Sequence, residues 1–145
     1  MNKVLITSDL SKDMEAIINE GLVLAKELKA EVELVTVINK NVDYIPADIG
    51  MNFNDQWEAR EYVAKKTLEE IKEKHPYLNI KVVVFLGDPK EDIIEYAIES
   101  KATIIVTGTH GRTGLLHLLM GSTAEYIIRH SPIPVLIIPV NKYRH

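Results

Sequence analysis

This chain predicts an α/β fold: a parallel five-stranded sheet with helices on both faces. Three observations carry that expectation. Five short β-branched runs recur along the chain, and helical patterns separate them. Most of the runs are near-continuously apolar rather than alternating, as strands buried on both faces are. Their strict alternation with helices favours right-handed crossovers between parallel neighbours.

The first strand reads Lys3 to Ser8. Met14, Ile17, Ile18, Gly21, Leu24, Ala25 and Leu28 then recur at three- and four-residue steps, with Lys12, Glu15, Glu20 and Lys29 off that stripe, so a first helix follows. The second strand is Glu31 to Ile38. After it comes the one long irregular stretch, Asn39 to Asp55, of a length more often functional than idle. Trp57, Ala64, Leu68 and Ile71 mark a second helix ending near His75-Pro76, before a third strand at Ile80 to Leu86. A third helix is expected to open at Asp88, with Asp88 as N-cap, Pro89 in the first helical position and Glu91 completing a capping box. Thr103 to Gly108 reads as the fourth strand, Thr123 to His130 as a helix stopped by Ser131-Pro132, and Pro134 to Pro139 as the fifth strand.

The 145 residues suit one domain, 1–145, long enough to bury about 70% of the surface exposed on unfolding without a disulfide or metal staple. With 17 basic and 21 acidic side chains the net charge is −4, which gives no general attraction to nucleic acid or an anionic membrane. There is no cysteine, so thiol catalysis and cysteine-ligated metal sites are excluded. The apolar start Val4-Leu5-Ile6 is too short for a signal-peptide core, and no run approaches the ~20 residues of a membrane span. A cytoplasmic protein is the expectation.

One segment is unlike the rest: Gly108-Thr109-His110-Gly111-Arg112-Thr113-Gly114, followed by Gly121-Ser122-Thr123-Ala124-Glu125. Glycines at a strand end let backbone amides approach a ligand closely. Ser122, three residues before Glu125, has capping-box spacing and marks a helix start, which attracts anions through its free amides and dipole. The plainer alternative is a turn and a well-capped helix. The segment lacks the Gly-Lys-Ser/Thr of a Walker loop, and the first strand lacks a dinucleotide glycine fingerprint.

The full spacing Gly108-x2-Gly111-x9-Gly121-Ser122 resembles the nucleotide motif of the universal stress protein family, in its ATP-binding branch. The resemblance extends to the opening Val4-Leu5-Ile6-Thr7-Ser8-Asp9-Leu10-Ser11, to Gly87-Asp88-Pro89, and to Ser131-Pro132-Ile133-Pro134 before the last strand. It implies a sheet order of 3-2-1-4-5, with the ligand crevice where connections leave strands one and four in opposite directions. It also implies an adenine nucleotide, ATP, with Mg2+ or Mn2+ as candidate cations. Asp9 matches the acidic residue near the nucleoside, and Val37 the position whose backbone meets the adenine edge. Gly108 and Gly111 would lie against ribose and phosphates, and Gly121, Ser122 and Thr123 would donate to the phosphates. Thr7, which replaces a frequent proline, completes the candidate set with Ser8, Thr109 and Arg112. The family's dimer pairs the last strand, Val135 to Val140 here, with its copy.

Other readings remain beside this one. Asp9 and Ser11 suit a helix cap. His110 and His117 lack a metal-ligand spacing, and Ser8, Asp9 and His110 lack the elbow of a nucleophilic serine. Tyr44, Phe53 and Trp57 border or lie in the irregular stretch, where they suit either covering a ligand or pinning the chain. The functional expectation is a nucleotide-binding regulator with slow or no hydrolysis. The alternatives are a slow ATPase or phosphate-transfer enzyme using Asp9, and an interaction module indifferent to nucleotide.

Overall fold

The computed structural model describes residues 2–40, 53–109 and 120–139. Nine elements alternate: β1 (Lys3–Thr7), α1 (Met14–Leu28), β2 (Glu31–Asn39), α2 (Phe53–Glu73), β3 (Ile80–Gly87), α3 (Glu91–Glu99), β4 (Ile104–Gly108), α4 (Ser122–His130) and β5 (Val135–Ile138). All pairings are parallel and the strand order is β3-β2-β1-β4-β5. Both the predicted fold class and the implied order hold.

Alternation along the strands divides the core in two. Val4, Ile6, Val32 and Leu34 pack with Ile18, Leu22 and Ala25 of α1 and Leu68 and Ile71 of α2. Leu5, Val35, Val37 and Ile105 turn the other way, onto Ile93, Ile94 and Ala97 of α3 and Ile127 of α4. The first helix seats closely because of Gly21, where an added Cβ would stand 2.6 Å from Ile6 Cδ1. Leu22, absent from the predicted stripe, is 3% exposed, whereas Leu28 at the helix end is 38% exposed.

Two buried polar side chains interrupt β2. Glu33 lies beneath α3, where its Oε1 accepts from the Tyr96 hydroxyl at 2.9 Å, with Lys81 Nζ at 3.8 Å from Oε1 and Lys3 Nζ at 4.0 Å from Oε2. Thr36 has a buried hydroxyl with no hydrogen-bond partner.

Several boundaries differ from expectation. Ser8 falls outside β1, yet its amide still donates to the Val35 carbonyl at 2.9 Å. Asn39 belongs to β2 and α2 already starts at Phe53, so both ends of the expected 39–55 stretch lie in regular elements; residues 41–52 lie outside the described residues. Prolines 134 and 139 flank β5 rather than joining it, consistent with their lack of an amide donor.

The third helix starts at Glu91, not at Pro89, and Lys90 is its N-cap. Asp88 instead accepts the Lys90 amide on its carboxylate at 2.8 Å, and the Asp92 carboxylate takes the Asp88 amide at 2.8 Å. The reciprocal bond thus spans four residues, through Asp92, rather than three through Glu91. Asp92 also occupies the space beside Gly87 that a Cβ would need.

Candidate functional site

At their carboxyl ends, β1 and β4 separate. Their ladder stops at Ile6↔Val106, whereas β1 stays paired to β2 through Thr7↔Val35 and β4 to β5 through Gly108↔Ile138. Beyond that point Ser8 bonds toward β2 and Thr109 toward β5, its amide donating to Ile138 at 3.1 Å. The chain leaves β1 for α1 on one face and β4 for α4 on the other. A crevice at such a divergence is the usual ligand position in open α/β sheets.

From β1 come Thr7, half-buried, Ser8, 9% exposed, and Asp9, exposed. Ser8 Oγ accepts the Leu10 amide at 3.1 Å, and Asp9 Oδ1 accepts the Ser11 amide at 2.9 Å. Asp9 therefore closes a tight turn and does not cap α1: Asp13 holds the N-cap position and makes no side-chain cap bond. The capping expectation for Asp9 and Ser11 is corrected on that point; the Ser11 hydroxyl is buried without a hydrogen-bond partner.

Val37 sits on β2 two residues past the last β1 pairing, in register with Phe85 of β3 and 8% exposed. Two further strand residues follow it, so it is near the strand end rather than at it.

The glycine segment brings its two ends together. Gly108 is buried at the end of β4, and the Thr109 carbonyl accepts the Gly121 amide at 2.6 Å. The first turn of α4 is thereby fixed beside the end of β4. Gly121 is the N-cap, with φ −61° and ψ 153°, and among the described residues no side chain caps the helix. The predicted capping box at Ser122 does not form: Ser122 is already the first helical residue, and Glu125 pairs with Arg129 at 2.9 Å one turn on. An uncapped helix start leaves its first amides oriented outward along the dipole, where an anion is favoured. Ser122 is exposed and Thr123 half-buried.

Gly111 and Arg112, with His110 and His117, lie outside the described residues. Among the described residues no three His, Cys, Asp or Glu side chains cluster as metal ligands, and no helix is long and apolar enough to cross a membrane. Sequence reasoning missed Leu10, whose left-handed φ of 62° a leucine does not signal. It also missed Asp92, for which the signal was present as a second acid four residues after Asp88.

The sequence profile of the universal stress protein family matches residues 1–139. Universal stress protein MJ0531 of Methanocaldococcus jannaschii is 30% identical over 142 residues, covering 94% of this chain and 81% of the relative. The solved structure of MJ0577, from the same organism, superposes with a TM-score of 0.84 at 28% identity and 97% coverage of both chains. Two more distant structures share the fold: a universal stress protein in complex with cAMP (TM-score 0.68, 21% identity, 95% and 96% coverage), and an Arabidopsis thaliana member with AMP bound (0.66, 16%, 98% and 94%).

Proposed function

The chain belongs to the universal stress protein family, and on that premise we propose that it is an ATP-binding regulatory protein of the cytoplasm. Residues 1–145 act as one nucleotide-binding domain, with the nucleotide in the crevice between the ends of β1 and β4. The observation that carries this reading is the Gly121–Thr109 bond, which sets an uncapped helix start beside the end of β4. Gly121, Ser122 and Thr123 receive the phosphates, Gly108, Thr109, Gly111 and Arg112 border ribose and phosphate chain, and Thr7, Ser8, Asp9 and Val37 form the nucleoside side. Support also comes from the relatives of the same fold described with cAMP and with AMP. Mg2+ or Mn2+ would neutralise charge between the phosphates.

No residue in the described part of the set is placed as a base for an attacking water other than Asp9, and the Asp9 carboxylate already accepts the Ser11 amide. The binding reading includes slow or negligible hydrolysis. The exposure of Asp9 at the crevice favours a second reading, a slow ATPase in which that carboxylate coordinates metal or orients water. As an edge strand, half-exposed along its length, β5 is available to pair with a second copy, which supports a two-fold dimer through Val135–Val140.

Titration calorimetry with ATP, with and without Mg2+, tests the main reading. Saturable one-site heat supports it; no heat and no thermal shift at millimolar ATP removes it. Steady-state phosphate release lost in Asp9→Asn would transfer support to the enzyme.

A further inference from the structure

Leu10, in the turn between β1 and α1, has a φ of 62°. Leucine is disfavoured in this left-handed conformation by roughly tenfold, whereas glycine enters it freely. The other two described residues of this kind, Lys29 and Lys101, follow α1 and α3, where a left-handed residue is a common way to end a helix. Leu10 ends no helix. It directly follows Asp9, and the bonds on either side of it are local: its amide donates to Ser8 Oγ at 3.1 Å, and the Ser11 amide to Asp9 Oδ1 at 2.9 Å.

A glycine would satisfy the backbone better, so the side chain must supply what opposes the strain. That side chain is partly buried and packs against the core cluster on the α1 face, to which Ile6 and Ile18 belong. We propose that Leu10 is a positioning residue: anchored in this core, it holds the left-handed turn that presents Asp9 at the crevice. The proposal rests on the ATP-binding reading of that crevice. The turn's short bonds orient Asp9 relative to Ser8 and Ser11, while the Leu10 anchor fixes the turn relative to the sheet. Removing the anchor leaves the bonding groups in place but lets Asp9 move.

The test compares Leu10→Gly, Leu10→Asn and Leu10→Met with the wild-type chain. Glycine and asparagine keep the backbone conformation accessible without the apolar anchor, and methionine keeps an anchor of similar volume. The expected result is amide exchange at Ser11 about tenfold faster in nucleotide-free Leu10→Gly and Leu10→Asn, with ATP affinity about tenfold weaker. The thermal midpoint of Leu10→Gly should shift little, since relief of strain opposes lost packing, and Leu10→Met should match wild type in both readouts. Wild-type exchange and affinity in Leu10→Gly would overturn the proposal; if that variant does not fold, Leu10→Asn decides by the same two readouts. A wild-type chain that takes up no ATP overturns the functional reading alone, and the exchange comparison, made without nucleotide, decides whether the side chain anchors the turn.

Discussion

The Gly121 amide and the Thr109 carbonyl meet at 2.6 Å, which fixes the start of α4 against the end of β4. Its consequence is separable from folding. Gly121 has φ −61° and ψ 153°, an extended conformation open to any residue. Glycine is therefore not required there by the backbone, and under the ATP-binding reading a side chain at this buried helix start would crowd the phosphates. Gly121→Val is expected to keep its circular dichroism and melting midpoint while weakening ATP binding at least about tenfold, measured by calorimetry. An interaction module indifferent to nucleotide would lose nothing.

Asp9 divides binding from chemistry. Asp9→Asn keeps an oxygen to accept the Ser11 amide, whereas Asp9→Ala opens the turn. Under the binding account Asp9→Asn retains most affinity and Asp9→Ala loses more. Paired calorimetry and phosphate-release assays check the order.

Tyr96 supplies a titration signature outside the candidate site residues. Burial, then the hydrogen bond and negative charge of Glu33, raise its phenol to about 12. The unfolded phenol ionises near the ordinary value of 10.0. Between these values the unfolded chain loses a proton that the folded chain keeps, so the stability due to this group is complete below pH 10 and is lost as pH rises through 12. Ultraviolet absorbance should show one of the six tyrosines ionising late, and that step should vanish in Tyr96→Phe. The same substitution leaves the buried Glu33 carboxylate without its hydroxyl donor and is expected to destabilise by about 1–3 kcal/mol in denaturant titration.

Gly21 tests the seating of α1. A side chain there meets Ile6 Cγ1 at 2.8 Å and Cδ1 at 2.6 Å from its Cβ alone. Gly21→Val is expected to destabilise by about 1–3 kcal/mol through overpacking, read from the urea midpoint.

The proposed dimer makes its own demand. Ile137→Asp on β5 places a charge on an edge that self-pairing would bury, so the variant should sediment as monomer where the wild type sediments as dimer. A wild-type monomer at micromolar concentration removes the dimer.

Much of this architecture was legible because buried parallel strands leave a strong mark. Val4-Leu5-Ile6 and Ile104-Ile105-Val106 are apolar on successive residues and pair with each other in the centre of the sheet. Boundaries were less legible where short polar residues offered competing bonds. Asp88 had two candidate acid partners, and the nearer, Glu91, matched a familiar spacing, but Asp92 makes the bond. At α4, Ser122 and Glu125 had the spacing of a box, but Glu125 pairs with Arg129 instead. In the site, spacing marked the ends of the glycine segment, whereas the parting of β1 and β4 came with the sheet order that the family resemblance implies; the structure shows both. Leu10 was invisible because a leucine carries no turn signal, although its backbone is left-handed and its side chain packs against the core on the α1 face.

The most direct measurement is mass spectrometry of the small molecule released when freshly purified protein is denatured, compared with Gly121→Val prepared in parallel. Near-stoichiometric ATP, or its AMP remnant, from the wild type and little from the variant is the result expected. No adenine nucleotide from either, in a wild-type chain that also fails to retain added ATP through gel filtration, would contradict the account.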